Sequence, residues 1–577
     1  MAREKTTEKR VPLPWEENLP SITTVRPVMD LLLSAHLEEA DVEEILKPFN
    51  FSNIRRADEN FQLIAEDPRA RQILAEILEP LLSCLARSPD PDQALNFLER
   101  FCRAAVNRVH LLSYLKDSPW TLWLLARVFG SSPYLSETLI RNPADLYWVA
   151  RPETLRTGVD KKNLSKDLNK SLGRIQSVEA RRNILRIFNR REMLRIGVRD
   201  LLRIAPVPEI TLELSDLADV LIQKAFEMAD KDLRKRYGTP YHRAGRGIKE
   251  RSSFSVIGMG KLGGRELNFS SDVDLIYIYH AEGGRTSGGK SGKGERISNE
   301  EFFKQLGQDL TRHLSTVTNE GGLFRVDLRL RPEGEAGPVV QSLRSATRYY
   351  NRRGSTWERL ALLKARPVAG SLRLGNRLIG EAEAFIFKSS FTPRMLGDVL
   401  SVKNKIDRKM SVKKESLRNV KLGVGGIREI EFIVQSLQSF FGKKLPAILE
   451  RNTLKALERL RRAGVVSGDE LGELREAYLF LRDVEHKLQM VHEEQTHTLP
   501  ADPGELRRCA LRLGYREEEG SEAADGFLSD LRRHTGNVHR IFTSVFENHG
   551  EPGMIQRAIN KSRSGRGSDV RRKNRKL

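Results

Sequence analysis

The sequence predicts an α+β protein that is mostly helical, with one mixed β-sheet unit inserted between all-helical blocks and followed by a helical bundle. Apolar residues repeat at helical spacing from residue 28 to about 250, and again from about 370 to 548. Strand-like runs first appear at Phe254 and alternate with helical segments until about Val340. Because a chain of 577 residues is too long for one hydrophobic core, several domains are expected.

Four regions follow from these patterns. The helical N-terminal region, 1–115, shows helical periodicity interrupted by prolines at 48, 68, 80 and 89. The sheet domain is predicted over 116–370, with helices over 179–204 and 211–237 and a catalytic sheet over about 250–345. The helical bundle is predicted over 371–548. A basic tail over 549–577 is expected to be disordered and solvated, although loose binding of nucleic acid is an alternative.

The composition excludes several classes of protein. The sequence has no run of eighteen apolar residues, and its first twenty residues are charged and proline-rich without an apolar segment. Neither a membrane anchor nor a signal peptide is therefore expected, and a cytoplasmic location is predicted. Cys84, Cys102 and Cys509 lack the paired spacing of a zinc site or a disulfide framework, so we expect reduced, packed thiols.

Two carboxylates two residues apart mark the candidate site. Residues 258–279 read GMGKLGGRELNFSSDVDLIYIY, and the apolar residues around Asp272 and Asp274 favour a β-strand. Strand side chains alternate between faces, so both carboxylates should share one face, where they would hold Mg²⁺ together with substrate phosphates. Four glycines follow the preceding strand and would let the backbone approach a phosphate: Gly258, Gly260, Gly263 and Gly264.

A third acid is expected on a neighbouring strand in FRVDLRLRP, residues 324–332. Alternation along this run would turn Val326, Leu328 and Leu330 towards a core. The opposite face would then place Asp327 among three guanidinium groups that can bind phosphate in bidentate fashion. The alternative is an exposed strand carrying only salt bridges. The three arginines are Arg325, Arg329 and Arg331.

The order strand, glycine turn, short helix and strand with Asp-x-Asp is similar to the core of the nucleotidyltransferase superfamily. The longer string GKLGGRELNFSSDVDL resembles the signature of the glutamine synthetase adenylyltransferase and adenylyl-removing enzyme family, as does VDLRLRP. This resemblance implies that Asp272, Asp274 and Asp327 are catalytic and hold one or two Mg²⁺ ions, with ATP, ADP and phosphate as substrates or products. The implied nucleotide- and phosphate-binding residues are Gly260, Lys261, Gly263, Gly264, Ser271, Arg325, Arg329 and Arg331.

WERLALLKAR, residues 357–366, also resembles the family. Ser355 and Glu358 form a capping box that begins a helix. On that helix Arg359 and Arg366 would share one face, with Lys364 nearby, and all three are candidate contacts to nucleotide phosphate or to a protein substrate. The alternative is a solvated helix face with Trp357 and Leu360 packed beneath it.

GGIREIEFIVQ at 425–435 and the wording at 478–500 resemble the adenylyl-removing half of the family. Full-length members carry two related halves, whereas the Asp-x-Asp signature occurs once here. The resemblance therefore implies that phosphate removes AMP from adenylylated glutamine synthetase to give ADP. The alternative is addition of AMP from ATP. Glutamine synthetase is the expected partner, a PII signal protein is a candidate partner, and a membrane is not expected.

Two alternatives from other classes remain at this stage. An RNA-directed nucleotidyltransferase would suit the net charge of +21, but aromatic residues make up only 7% of the chain, so nucleic acid is not the expected partner. A non-catalytic binding partner of the synthetase would not need the three aspartates.

Capping alone explains Glu429 and Glu431 in the first turns of the helix that begins near residue 427.

Two further motifs are expected to be coincidental. Residues 284–291 satisfy the P-loop pattern GxxxxGKS, but the next helix is predicted to start only near Ser298, so a flexible hairpin loop is expected. His492 and His497 are spaced five apart instead of four, so they should diverge on a helix and not bind zinc.

Overall fold

The computed structural model confirms a mostly helical α+β protein with a small mixed sheet. No helix among its described residues is long and apolar enough to cross a membrane. The structure describes residues 26–34, 37–243, 249–289, 294–387, 396–398, 400–401, 403–404, 408, 418–492, 494–517, 522–548 and 551–555. The hairpin loop predicted over the GxxxxGKS match at 284–291 and the predicted tail at 549–577 lie partly outside these residues.

The N-terminal helices share one hydrophobic core with one face of the sheet. Most prolines of this region begin helices, because the backbone N–H that proline lacks has no acceptor at the first position of a helix. Pro68 and Pro91, for example, each follow a capping aspartate. The predicted break at Pro80 is wrong, because buried apolar residues on both sides hold it inside a continuous helix. The helices are α1 (Asp30–Leu33), α2 (Glu39–Leu46), α3 (Ile54–Ile64), α4 (Pro68–Ala86), α5 (Pro91–Ala104), α6 (Arg108–Asp117), α7 (Trp120–Phe129), α8 (Pro133–Arg141), α9 (Leu146–Val149), α10 (Pro152–Arg156) and α11 (Lys161–Leu172).

Two long helices, α12 (Val178–Leu201) and α13 (Val207–Tyr237), lead to the sheet. The predicted break at 205–208 is confirmed, because α13 begins at Val207 with proline in its first turn. Arg195 and Arg199 of α12 are buried and pair with Glu213 of α13. The arginine-rich side of α12 therefore holds α12 against α13 through buried ion pairs.

The main sheet has the strand order β6-β4-β3-β8, with β7 also paired to β4. Strands β3 and β8 run antiparallel to their neighbours, whereas β6 and β7 run parallel to β4. Strands begin earlier than predicted, since β1 and β2 precede residue 254. Together with the later strand β5 they form a separate antiparallel sheet. The strands are β1 (Pro240–Arg243), β2 (Lys249–Arg251), β3 (Phe254–Gly258), β4 (Val273–Tyr279), β5 (Arg285–Thr286), β6 (Val326–Asp327), β7 (Val340–Ser342) and β8 (Arg366–Gly370).

Alternate residues of β4 enter two different cores. Leu275 and Tyr277 join the core shared with α13, whereas Ile276 and Ile278 join a second core on the opposite face. Both faces of β4 are thus covered, which explains its nearly continuous apolar sequence. The helices of this part are α14 (Gly260–Gly264), α15 (Asn299–Ser315), α16 (Leu343–Arg353), α17 (Thr356–Leu362) and α18 (Leu372–Ile386).

Two of the smaller predictions are confirmed. Helix α15 begins at Asn299, and the Ser298 side chain accepts a hydrogen bond from the backbone N–H of Glu301, as the capping motif predicted. All three cysteines are free and buried.

The C-terminal helices form a bundle with its own core. Hydrogen bonds connect this bundle to the N-terminal helices, including one from the Ser132 hydroxyl to the Met490 carbonyl oxygen at 2.5 Å. The bundle is therefore held against the rest of the chain. Its helices are α19 (Ile427–Phe441), α20 (Thr453–Arg462), α21 (Gly468–His492), α22 (Pro503–Arg512) and α23 (Ala523–Phe546), followed by the short strands β9 (Glu547–Asn548) and β10 (Glu551–Pro552).

Close packing of α14 predicts a large effect for Gly263→Ala. A Cβ atom at Gly263 would clash with the backbone carbonyl oxygen of Lys364, whereas nothing lies within 4 Å of a Cβ atom at Gly536 in α23. We expect Gly263→Ala to lower the free energy of unfolding by about 1–3 kcal/mol. Gly536→Ala should raise it by up to about 1 kcal/mol, because alanine favours a helix. Denaturant titration followed by circular dichroism measures both; equal effects would contradict the packing.

Candidate active site

Asp274 and Asp327 lie opposite each other on the adjacent parallel strands β4 and β6. This pairing confirms that the third acid lies on a strand next to the Asp-x-Asp. Strand β4 begins at Val273, so Asp272 lies immediately before the strand and not within it. The start of β4 and the end of β6 therefore bring the three carboxylates to the same edge of the sheet.

The charges of these acids are unequally compensated. Burial, together with repulsion from Asp327 and Asp272, raises the pKa of Asp274 to about 6. Hydrogen bonds from Arg329 lower the pKa of Asp327. The edge of the sheet therefore carries concentrated negative charge at Asp274, which a cation would stabilise.

Two arginines bind the outer acids. The Nε of Arg325 donates to Oδ1 of Asp272 at 2.7 Å, and Nη2 of Arg329 lies 2.6 Å from Oδ2 of Asp327. Their side chains are 53% and 67% exposed, respectively, so both guanidinium groups also face solvent. These groups are placed where they can meet an anionic substrate.

The predicted alternation through Arg331 is wrong. Strand β6 ends at Asp327, and the chain turns at residues 329–330. As a result, Arg331 donates to the backbone carbonyls of Leu328 and Gly337, at 2.8 and 3.0 Å, and stabilises the loop. Among the described residues, the Arg331 guanidinium thus binds backbone carbonyls alone, whereas that of Arg325 binds Asp272 as well as the Ser270 carbonyl oxygen, and that of Arg329 binds Asp327.

Of the predicted glycines, Gly260 lies against the acids. It has φ +51°, and a Cβ atom there would be 2.6 Å from Oδ2 of Asp274, so this close approach requires glycine. Gly263 and Gly264 instead pack against the backbone of Lys364 and Arg451. Protein atoms therefore occupy the side-chain space of these two glycines, and phosphate binding by their backbone stays a prediction. Gly258 likewise packs on the side chain of Val368.

Lys261 and Ser271 also make contacts within the protein. The Nζ of Lys261 lies 2.7 Å from Oε1 of Glu485 in α21. Burial lowers the pKa of Lys261 to about 7, although Glu485 opposes this shift. The Ser271 hydroxyl accepts a hydrogen bond from the backbone N–H of Asn268 at 3.3 Å. Both side chains thus support the loop between α14 and β4.

The predicted common face of Arg359 and Arg366 is wrong, because α17 ends at Leu362 and Arg366 begins β8. Arg366 binds both carboxylate oxygens of Asp219, at 2.6 and 3.0 Å. The Arg359 guanidinium lies 4.8 Å from the ring centroid of Phe385. These two arginines are thus used in packing.

Lys364 is buried between two acids from different parts of the chain. Its Nζ lies 2.8 Å from Glu266 and 3.1 Å from Glu431. Burial opposes its charge, but the two glutamates outweigh this effect and raise the pKa of Lys364. Glu431 of α19 is therefore an ion-pair partner and not merely a helix cap. Glu429 likewise lies 2.9 Å from Lys403, so the capping interpretation of these two acids is incomplete.

A cleft of about 750 Å³ opens beside the acids, between the sheet, α17 and α19. A second space of about 470 Å³, which is lined mainly by arginines and aspartates, shares Asp327 and Arg329 with it. The first cleft is large enough for a nucleotide and has both polar and apolar walls. It is lined by Gly260, Asp274, Asp327, Arg329, Leu330, Gly354, Ser355, Thr356, Trp357, Leu360, Ala361, Lys364, Asp398, Arg428, Glu431, Phe432 and Gln435.

Sequence analysis missed two features of this cleft. Trp357 is 43% exposed and lines it, whereas the alternative interpretation placed this residue beneath the helix. The bundle helix α19 also supplies a wall through Arg428 and Phe432. The sequence did contain a signal that α19 lines the cleft, because EIEF at 429–432 places two acids in an otherwise apolar stretch.

The described part of the chain holds no preformed metal site, at the three aspartates or elsewhere. Among the described residues, no three His, Cys, Asp or Glu side chains converge into a ready-made metal site. His497 lies 3.0 Å from Glu485, and the side chain of His492 lies outside the described set. Any metal at the three aspartates would need their arginine contacts to rearrange.

Comparison with known proteins gives two family matches. Residues 122–380 match the family described as glutamate-ammonia ligase adenylyltransferase. Residues 401–546 match the family described as GlnD PII-uridylyltransferase. The first match ends at residue 380, and the second begins at residue 401, shortly before the first helix of the C-terminal bundle, α19.

The chain is similar to curated bifunctional glutamine synthetase adenylyltransferase/adenylyl-removing enzymes. It is 37% identical to the enzyme of Nitrosococcus oceani over 452 residues, which are 78% of this chain and 45% of that protein. It is also 37% identical to the enzyme of Pseudomonas aeruginosa, over 67% of this chain and 39% of that protein. The chain therefore spans less than half the length of these relatives.

The burial of Lys364 predicts that Lys364→Met strongly destabilises the protein. The change leaves Glu266 and Glu431 buried without their common cation, so we expect the free energy of unfolding to fall by about 3–5 kcal/mol. As a control, Lys304→Met removes an exposed partner 3.8 Å from Glu301 and should cost less than about 1 kcal/mol. Chemical denaturation measures both values. A loss below about 1 kcal/mol for Lys364→Met would contradict this role.

Proposed function

Because residues 122–380 match the family described as glutamate-ammonia ligase adenylyltransferase, we propose that the chain is a Mg²⁺-dependent nucleotidyltransferase acting on glutamine synthetase. We propose further that it removes AMP from the adenylylated synthetase. The observation that carries the proposal is the pairing of Asp274 with Asp327 beside a nucleotide-sized cleft. Because the proposed substrate is glutamine synthetase, we also propose that the protein is cytoplasmic.

The donor set fits Mg²⁺. Carboxylate oxygens are the ligands this ion prefers, and the mutual repulsion around Asp274 is relieved by a cation. Asp272 and Asp327 are engaged by arginines, but these are exposed and can turn towards solvent or substrate. We propose that the three aspartates hold one or two Mg²⁺ ions, which would polarise the reacting phosphate and neutralise its charge.

In the proposed reaction an oxygen of inorganic phosphate attacks the phosphorus of the AMP–tyrosine phosphodiester. The bond from phosphorus to the tyrosine oxygen breaks, ADP forms, and the tyrosine oxygen gains the proton that the attacking hydrogen phosphate releases. Arg325 and Arg329 would bind the negatively charged oxygens, and the walls of the cleft would exclude water around the adenylyl group. The reaction needs no covalent intermediate with the protein.

The direction of the reaction rests on sequence resemblance. Residues 425–435 and 478–500 resemble the adenylyl-removing half, which favours removal over addition. The match of residues 401–546 to a PII-uridylyltransferase family supports a PII-type signal protein as a regulator.

The products identify the direction. The chain with Mg²⁺ is incubated with adenylylated synthetase and inorganic phosphate, and separately with unmodified synthetase and ATP. We expect ADP in the first reaction and no pyrophosphate in the second, and EDTA should abolish ADP formation. Pyrophosphate alone would show addition instead. If neither product forms, a non-catalytic partner remains, and extension of an RNA primer by the chain would indicate the RNA-directed enzyme.

Asp274→Asn should lower the rate of ADP formation by more than about 100-fold, because it removes a charged ligand of the metal. The control Asp309→Asn changes an aspartate of α15 that pairs with Arg312 at the protein surface, and it should retain the rate. Circular dichroism should show that both variants fold. Substantial activity in the folded Asp274→Asn protein would refute the assignment.

A further inference from the structure

We propose that the indole ring of Trp357 stacks on the purine base of the adenylyl group in the cleft. This inference rests on the proposed function, because it assigns the nucleoside part of that substrate to one wall of the site. The observation behind it is the unusual exposure of this one side chain.

Trp357 is the exception among the large aromatic side chains. Among the described tryptophan and phenylalanine residues it is the most exposed, with 43% of its surface accessible. Leu360 and Leu362, from the same helix, are 5% and 4% exposed. Helix α17 therefore buries its aliphatic residues and leaves its tryptophan open.

The helix is fixed on several sides. The Ser355 and Glu358 side chains form the capping box that the sequence predicted. The Thr356 hydroxyl donates to Oδ2 of Asp398 at 2.7 Å, and Arg359 lies over the ring of Phe385. Because the backbone around Trp357 is held in this way, the side chain extends from a fixed position at the cleft. A flat side chain with only two torsions suits rigid stacking.

Among the described residues that line the cleft, one aromatic side chain is open. Trp357 and Phe432 both line it, but Phe432 is 4% exposed, and the guanidinium of Arg428 lies 4.9 Å from its ring centroid. The same lining contains Asp274, Asp327 and Arg329, which are suited to metal and phosphate. The acids and Arg329 would thus bind the phosphate of the adenylyl group, and Trp357 would bind its base.

Stacking of a base on an aromatic side chain contributes about 1–3 kcal/mol, which corresponds to roughly 5- to 150-fold in the dissociation constant. The contribution should disappear when the ring is removed and largely persist when another aromatic ring replaces it. It should also be restricted to ligands that contain a base. These three properties distinguish stacking from a general structural role.

The test measures binding of ADP to the full chain with Mg²⁺ by calorimetry, without any synthetase. We expect Trp357→Ala to weaken ADP binding by about tenfold or more, Trp357→Phe to retain most of it, and both to bind pyrophosphate as the wild type does. The control Trp148→Phe changes a tryptophan of α9 that contacts Arg191 and should leave ADP binding unchanged. Thermal melting should confirm that all variants fold.

Wild-type affinity of Trp357→Ala for ADP would overturn the inference, as would an equal loss of ADP and pyrophosphate binding. The proposed function is judged separately from the reaction products. If the wild type binds ADP through Trp357 but forms neither ADP nor pyrophosphate from the two forms of the synthetase, the function fails and the base-binding role remains.

Discussion

The buried pairing of Lys364 with Glu266 and Glu431 is the constraint on which the arrangement of the cleft depends. The three residues come from the segment after α17, the loop before β4 and the helix α19 of the bundle. A buried charge without a partner is very costly, so these three segments must lie close together for any of them to be stable. Their meeting point is also a wall of the cleft.

A second buried network acts on the same loop. Glu485 of α21 binds Lys261 at 2.7 Å and Arg482 at 3.2 Å, and Arg482 in turn donates to the backbone carbonyl of Glu266. The loop that delivers Asp272 and Asp274 is therefore held from the side of the bundle as well as from the sheet. The sheet and the bundle therefore fix the position of the acids together. A displacement of α21 would break the contacts from Glu485 and Arg482 that support this loop.

The charges at the site are balanced differently from those in the supporting networks. Lys364 and Glu485 are buried and fully committed to their ion pairs, whereas Arg325 and Arg329 remain more than half exposed while they bind Asp272 and Asp327. Exposed pairs contribute little to stability and are easily exchanged for other partners. The protein thus combines a rigid frame with replaceable contacts at the position where metal and phosphate are proposed to bind.

The sequence by itself determined the fold class and the strand character around Asp274 and Asp327, because period-two and period-3.6 patterns are local properties of the chain. The pairing of these two strands was expected from the sequence, but it is formed by tertiary contacts. Tertiary structure decided the roles of Lys364, Arg366 and Glu431, since their partners at Glu266 and Asp219 are far away in sequence. It also ended β6 at Asp327, which turned Arg331 away from the predicted face, and left Trp357 open to the cleft. Whether a charged side chain is paired or free depends on distant segments, which no local pattern records.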